Sequence, residues 1–139
     1  MTCAFVFPGQ GSQAVGMGNE LLAAFPIARQ TLEEVDDALG QNLTKLIAEG
    51  PLEDLTLTEN AQPALMSISM AAMRVLETEG DLQVDQVAEF VAGHSLGEYS
   101  ALAASRTLEL SDTARLLKVR GQAMQKAVPV GEGLSLIHI

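Results

Sequence analysis

Apolar residues follow two different patterns along this chain, and together these patterns predict strands that alternate with helices. A continuously apolar run at residues 3–7 and a largely apolar run at residues 87–92 end at Pro-Gly and at Gly, which predicts two short buried strands. A third segment, at residues 134–139, has Leu and Ile at four of its six positions and predicts another strand. Elsewhere the apolar residues favour helices, at residues 21–25, 28–39, 43–48, 63–78, 98–104 and 111–127.

The longest predicted helix, at residues 63–78, has almost no polar side. Pro63 suits the first turn of a helix, and Gly80 follows its end. A helix that is apolar all round is normally buried, so we expect its methionines to fill the core rather than to form a binding surface. These are Met66, Met70 and Met73.

The alternation of strands and helices predicts an α/β architecture built on a mainly parallel sheet. The 139 residues are enough for one domain with its own core. Because 47% of them are hydrophobic, the composition is typical of a globular rather than a disordered chain.

Charge and composition exclude several classes of partner and site. The net charge of −10 argues against nucleic acid and anionic membrane surfaces as partners. The single cysteine, Cys3, excludes an internal disulfide and suits a reducing compartment. No signal-peptide pattern precedes the first strand, and no apolar run approaches the roughly 20 residues of a membrane span, so we expect a cytoplasmic protein. No cluster of His, Cys or acidic residues has the spacing of metal ligands.

The most informative motif lies at residues 93–97, which read Gly-His-Ser-Leu-Gly and stand between a predicted strand and a predicted helix. Strand, sharp turn and helix form the context of a nucleophile elbow, in which Ser95 would stand clear of the backbone. Both glycines are needed because a side chain would crowd so tight a turn. The alternative is an ordinary strand-to-helix loop.

A nucleophilic serine also needs two donors that stabilise the oxyanion formed during acyl transfer. The backbone N–H of Leu96, directly after Ser95, is one natural candidate. The second must come from another loop, and Gln10 follows the first strand at the same predicted sheet edge. Residues 9–13 also fit a plain turn.

The base that would take the Ser95 proton is not evident in the sequence. His94 adjoins Ser95, but neighbouring side chains on such a turn diverge, which favours a structural role for it. His138 would need the end of the chain to fold over Ser95. The sequence therefore predicts an incomplete Ser–His pair.

Arg120 shares one predicted helix face with Leu116 and Met124, four residues to either side. An arginine in an apolar stripe must either extend to water or meet an anion, and its planar fork suits a carboxylate. The alternative is an ordinary exposed helix arginine.

Four segments occur in a characteristic order. They read Phe-Pro-Gly-Gln-Gly-Ser-Gln at residues 7–13, Thr-Glu-Asn-Ala-Gln-Pro-Ala at 58–64, Gly-His-Ser-Leu-Gly-Glu-Tyr at 93–99 and Arg-Gly-Gln-Ala-Met-Gln at 120–125. In this order they closely resemble the malonyl-CoA:acyl-carrier-protein transacylases of fatty-acid synthesis. The resemblance runs from Ala4 to about Gly133, and four ordered motifs are far more specific than the Ser95 motif alone.

The resemblance implies a partial parallel-sheet acyltransferase domain, α/β-hydrolase-like, with a nucleophile elbow. Ser95 would take a malonyl group from malonyl-CoA as an ester and pass it to the phosphopantetheine thiol of acyl carrier protein. Gln10 and the Leu96 N–H would correspond to the oxyanion hole. Arg120 would hold the free malonyl carboxylate, and Gln62 would lie near the pocket wall in a supporting role. No bound cofactor is implied.

The chain also departs from this family. Its members are considerably longer, and their catalytic histidine and a small ferredoxin-like subdomain follow the point where this sequence ends. We therefore expect residues 1–133 to be the N-terminal part of the domain, truncated before that subdomain, and the chain alone to be inactive or nearly so. Residues 134–139 leave the family pattern, so we expect a non-native tail in which His138 has no catalytic meaning. The start at Met1 shortly before the first strand favours a free-standing enzyme.

Two other functions remain open. A serine thioesterase or esterase would share the Ser95 turn but needs no cation facing the nucleophile, so Arg120 discriminates it. A non-catalytic remnant that binds acyl carrier protein would account for the missing histidine. The net charge of −10 speaks against that alternative, because the partner is itself acidic.

Overall fold

The computed structural model describes residues 2–129 and residue 132. Two short strands, β1 (Ala4–Phe7) and β2 (Phe90–Gly93), are separated and followed by helices. The helices are α1 (Asn19–Ala24), α2 (Pro26–Leu39), α3 (Leu43–Glu49), α4 (Leu52–Thr56), α5 (Thr58–Glu79), α6 (Val84–Val87), α7 (Leu96–Ala104) and α8 (Leu110–Ala127). The predicted α/β alternation is present, with a short sheet and a dominant helical part.

The two strands pair in parallel, with Phe5 opposite Val91 and Phe7 opposite Gly93. A parallel pair needs a long crossover connection, which α1 to α6 supply. Parallel strands end at the same edge of the sheet, so the loops that follow Phe7 and Gly93 emerge side by side. A hydrogen bond of 3.2 Å from the His94 N–H to the Phe7 carbonyl extends the pairing into these loops.

The sheet is buried on one face, whereas the sequence predicted fully buried strands. Phe5, Phe7 and Val91 pack into the core, but Val6 and Phe90 are 75% and 63% exposed. The described residues leave the face of Val6 and Phe90 uncovered. The prediction was wrong here because a continuous apolar run does not distinguish burial on one face from burial on two.

The second strand begins later than the sequence predicted. Residues Val84–Val87 form α6, and the strand starts at Phe90, so the predicted start at residue 87 was wrong. Val84 is buried, and its carbonyl accepts the Ala88 N–H at 2.9 Å, which closes a helical turn. A short apolar run shows too little periodicity to distinguish a helical turn from a strand.

The long helix α5 forms the centre of the fold and packs against α2, α7 and α8. Its methionines are buried, as predicted. The predicted start at Pro63 was wrong, because the helix begins at Thr58 and Pro63 lies inside it. The polar residues before Pro63 look like a loop in the sequence, but Asn60 and Gln62 are buried in the helix with hydrogen-bond partners from other elements.

The other helices agree with the periodic pattern, with small differences at their ends. Helix α2 ends before Gly40, which has a φ of +59°, as expected for a left-handed terminus. Helix α4 was not predicted. Helix α8 begins at Leu110, one residue before its predicted start, and Glu109 holds the cap position without a side-chain hydrogen bond. Ser111 and Asp112 are typical capping residues, but both lie inside the first turn.

Among the described residues, no helix combines the length and the apolar character needed to cross a lipid bilayer. The strand predicted at residues 134–139 and the domain boundary predicted after residue 133 lie outside the described residues.

Helices α5 and α8 cross where Gly121 lies against the backbone of α5. A β-carbon built on Gly121 would stand 2.5 Å from the Glu59 Cα and 2.7 Å from the Thr58 carbonyl oxygen. Backbone atoms cannot move aside as a flexible side chain can, so this approach requires glycine. The crossing holds Arg120, the preceding residue, beside the start of α5.

We predict that Gly121→Ala destabilises the protein, although alanine in a helix is normally favoured over glycine by about 1 kcal/mol. The added methyl group would overlap the Glu59 backbone, and overpacking of this kind costs about 1–3 kcal/mol. Denaturant unfolding measures the change in the free energy of unfolding. Lys126→Ala, on the exposed side of the same helix, is the control and should stay within about 0.5 kcal/mol of the parent. A Gly121→Ala protein as stable as the parent would contradict the close crossing.

Candidate active site

Ser95 occupies a strained turn between β2 and α7. Its backbone has a φ of +55° and a ψ of −113°, a conformation that L-residues rarely adopt. The Gly97 N–H donates to the His94 carbonyl at 2.9 Å, and the Glu98 N–H donates to the Ser95 carbonyl at 3.1 Å. Because Leu96 is the first residue of α7, its N–H has no acceptor inside the helix. The turn therefore presents an exposed serine beside a backbone donor that the helix does not use.

Two glycines allow this turn to close. A β-carbon on Gly93 would overlap the Gly97 carbonyl group, and one on Gly97 would overlap the Phe7 carbonyl oxygen. Both overlaps are with backbone, so the predicted need for glycine at these two positions is confirmed. Gly97 also brings the start of α7 against the end of β1.

The loop after β1 lies directly against the Ser95 turn, because a β-carbon on Gly9 would overlap the His94 ring. The Gln10 side chain, in the same loop, reaches the start of α5. Its Oε1 accepts a hydrogen bond from the Thr58 hydroxyl at 2.7 Å, and its Nε2 lies 3.5 Å from the Thr56 carbonyl oxygen. The two loops that the sequence predicted to share one sheet edge are in contact there.

Arg120 extends from α8 to Ser95. Its Nη2 donates to the Ser95 Oγ at 3.2 Å, and its Nη1 donates to the Gln62 Oε1 at 2.7 Å. The guanidinium carbon lies 5.6 Å from the centroid of the Tyr99 ring, within the range of cation–π attraction. A cation therefore stands beside the exposed serine hydroxyl.

The apolar stripe predicted around Arg120 is half exposed, which corrects that prediction. Leu116 and Met124 are 46% and 44% exposed, whereas Leu117 and Gly121 are buried against the core. The buried face of α8 is offset from the predicted one, so Arg120 lies at its border. The sequence did not show this because apolar residues occur on both sides of the helix.

Gln62 is 1% exposed, so its side-chain amide needs partners within the protein. Its Nε2 donates to the Thr58 Oγ1 at 2.8 Å and lies 3.3 Å from the Met124 Sδ. Its Oε1 accepts from Arg120, and the Thr58 hydroxyl donates onward to Gln10. These bonds form one continuous series, which we call the polar chain, and its members are Ser95, Arg120, Gln62, Thr58 and Gln10.

Two members of the site were missed by the sequence reasoning. Thr58 lies four residues before Gln62 and so on the same helix face, but this relation is hidden when the helix is predicted to begin at Pro63. Tyr99 lies four residues after Ser95 in α7 and faces Arg120. The i, i+4 spacing of Thr58 and Gln62 in α5 is the signal that could have found Thr58, whereas Ser95 precedes α7 in a non-helical turn, so helical spacing gives no signal for Tyr99.

The histidines do not complete the site within the described residues. His94 is exposed and its ring packs on Gly9, which agrees with a structural role. Within residues 2–129, the hydrogen bond at the Ser95 Oγ comes from Arg120, and none comes from a histidine. His138 lies outside the described residues. In the described part of the chain, no group of three His, Cys, Asp or Glu residues could hold a metal ion.

Known sequences show a clear relationship. Residues 4–137 match the model of the acyl transferase domain family. The malonyl CoA-acyl carrier protein transacylase of Bacillus subtilis (strain 168) is 48% identical over 130 residues, which cover 94% of this chain and 39% of that protein. The chain spans about 40% of the length of the curated relatives it matches.

Solved structures agree with the sequence relationship. The acyl-carrier-protein S-malonyltransferase of Bartonella henselae is 57% identical with a TM-score of 0.91, over 99% of this chain and 46% of that one. A malonyl-transacylase solved in complex with a type II PKS acyl-carrier protein is 44% identical with a TM-score of 0.86, over 93% of this chain and 40% of that one.

We predict that Ser95→Gly is more stable than Ser95→Ala by about 1 kcal/mol. Both variants lose the hydroxyl and its bond to Arg120, but only glycine relieves the positive φ, whose strain costs about 1–3 kcal/mol and is partly offset by the flexibility of glycine. Denaturant unfolding of the two variants measures the difference.

The matched pair is Ser111→Gly and Ser111→Ala, in the first turn of α8, where the order should reverse because alanine is favoured in helices. A Ser95→Ala variant more stable than Ser95→Gly would contradict the strained turn.

Proposed function

Because this chain belongs to the acyl transferase domain family, we propose that the protein carrying it transfers a malonyl group from malonyl-CoA to the phosphopantetheine thiol of acyl carrier protein. The observation that carries the proposal is the hydrogen bond between Arg120 and Ser95. It joins a nucleophile to a cation that can hold a carboxylate, which is the combination that malonyl transfer needs. The names of the similar proteins support the same reaction.

In this proposal Ser95 is the nucleophile at an elbow. Its Oγ attacks the thioester carbonyl, a C–O bond forms, and the C–S bond breaks to release coenzyme A. The Leu96 N–H and Gln10 stabilise the oxyanion. Since the Gln10 side-chain amide is already bonded to Thr58 and lies near the Thr56 carbonyl, we assign the donor role to its backbone N–H.

The Arg120 guanidinium is proposed to hold the free malonyl carboxylate through two parallel hydrogen bonds. Its Nη2, which contacts the Ser95 hydroxyl, would turn to the carboxylate when the substrate binds. Gln62 keeps the other side of the guanidinium in place. An acetyl group has no carboxylate for Arg120, so this residue gives the preference for malonyl over acetyl.

The base that accepts the Ser95 proton is proposed, as the family resemblance implies, to be a histidine beyond residues 1–139, on a domain that continues with a small ferredoxin-like subdomain. The limited share of each relative that this chain covers supports this. We expect the 139-residue chain alone to be inactive or nearly so. The proposed chemistry uses malonyl-CoA as substrate, requires no bound cofactor or metal, and suits the cytoplasm.

We predict that Arg120→Ala in the whole protein lowers kcat/KM for malonyl-CoA by about 10- to 150-fold, because a hydrogen bond to a charged group contributes about 1.5–3 kcal/mol. The value of kcat/KM for acetyl-CoA should not fall. The ratio of the malonyl-CoA value to the acetyl-CoA value therefore falls by the same factor as the malonyl-CoA value. Initial rates of transfer to acyl carrier protein measure both. Arg115→Ala, on the exposed side of the same helix, is the matched control and should leave the ratio unchanged.

Other outcomes identify other functions. An unchanged ratio in Arg120→Ala would show that the carboxylate assignment is wrong. Release of malonate to water without formation of malonyl acyl carrier protein would indicate a thioesterase. Binding of acyl carrier protein without any transfer, and no loss of binding in Ser95→Ala, would indicate a non-catalytic module.

A further inference from the structure

The Thr58 hydroxyl lies between the two parts of the proposed site. It accepts a hydrogen bond from the Gln62 Nε2 at 2.8 Å and donates one to the Gln10 Oε1 at 2.7 Å. Gln62 leads to Arg120, the proposed carboxylate-binding residue, whereas Gln10 belongs to the proposed oxyanion loop. Gln62 and Arg120 are called the carboxylate-binding arm, and Gln10 with its loop is called the oxyanion arm. The Thr58 side chain contacts both arms, but it bonds neither to Ser95 nor to Arg120.

The donors and acceptors around Thr58 allow its hydroxyl only one hydrogen-bonding arrangement. A guanidinium carries donors and no acceptor, so the Gln62 Oε1 must face Arg120 and its Nε2 must face Thr58. The Thr58 oxygen then accepts from Gln62, and its proton is left for the Gln10 Oε1. Both glutamine amides are therefore held in one orientation through this hydroxyl, at a place where Gln62 is buried.

The hydroxyl does not serve the usual role of a threonine at a helix start. Such residues normally cap their own helix. Here Leu57 holds the cap position without a side-chain hydrogen bond, and Thr58 donates instead to a loop 48 residues earlier in the chain. The backbone of Thr58 also lies under Gly121, next to Arg120, so its position is fixed by the crossing of α5 and α8.

We propose that Thr58 is a positioning residue for the transfer reaction, which couples the carboxylate-binding arm to the oxyanion loop through its hydroxyl. This inference rests on the proposed function. Without the hydroxyl, the buried Gln62 Nε2 loses its oxygen acceptor, so Gln62 is held less firmly against Arg120, and the Gln10 side chain loses its 2.7 Å hydrogen bond. Malonyl transfer depends on both arms, whereas acetyl transfer depends on the oxyanion arm alone.

The test compares Thr58→Val, which removes the hydroxyl and keeps the shape, with Thr58→Ser, which keeps the hydroxyl, in the whole protein. We expect Thr58→Val to lower kcat/KM by about 10-fold for malonyl-CoA and by about threefold for acetyl-CoA, the range that corresponds to loss of one or two net hydrogen bonds. Thr58→Ser should restore both values. If the valine variant does not fold, Thr58→Ala removes the same hydroxyl with less crowding.

Thr78→Val is the matched control, since Thr78 is exposed near the other end of α5 and its hydroxyl bonds within its own helix, to the Arg74 carbonyl, among the residues that the structure describes. If Thr58 had a merely structural role, Thr58→Val would lower kcat/KM for malonyl-CoA and acetyl-CoA by the same factor, as partial unfolding does. Thr58→Ser would then not restore either value. Equal loss for both substrates without rescue overturns the inference.

A Thr58→Val variant with the same kinetics as Thr78→Val also overturns the inference. If Ser95→Ala abolishes transfer, the proposed function stands even when the inference about Thr58 fails. Absence of malonyl transfer by the parent protein would overturn both.

Discussion

A guanidinium can only donate hydrogen bonds, and the arrangement of the candidate site depends on that constraint. Arg120 donates to Ser95 on one side and to Gln62 on the other. Because the Gln62 amide is buried, reversing it would set its N–H groups against those of the arginine, which is costly where no water can compensate. The orientation of each later group follows, through Thr58 to Gln10. The donors of one arginine thereby orient side chains from three separate parts of the chain.

The fold makes this polar chain possible because glycines let backbone segments approach one another more closely than a β-carbon would permit. Parallel pairing delivers the loops after β1 and β2 to one sheet edge. There Gly9 lies on the His94 ring, and Gly97 brings the start of α7 onto the Phe7 carbonyl. At the crossing of the two long helices, Gly121 lets α8 lie on the first turn of α5. The site is therefore assembled at three close approaches, each of which depends on glycine.

Local patterns predicted the local features well. The strand, turn and helix around Ser95 were expected from five residues, and the glycines there prove necessary because a side chain would meet backbone atoms. Helix α2 was recovered because its buried positions keep a regular period. The failures lie where burial depends on distant partners. Residues 58–62 are mostly polar and resemble a loop, yet they form the first turns of α5 because distant residues satisfy their side chains. Gln10 and Arg120 bond to Thr58 and Gln62, and Gln41 and Lys118 bond to Asn60. The motifs named four members of the polar chain, but no local pattern contains the hydrogen bonds that join them across the fold, so those bonds could not be predicted.

The central claim is that Ser95 carries the malonyl group as an ester during transfer. The most direct measurement is mass spectrometry of the whole protein after brief reaction with malonyl-CoA in the absence of acyl carrier protein, acid quenching and proteolysis. The account predicts the mass of one malonyl group on the peptide that contains Ser95, and its loss once acyl carrier protein is added before quenching. Malonyl on a different residue, or rapid transfer with no label on Ser95 at any time, would contradict the account.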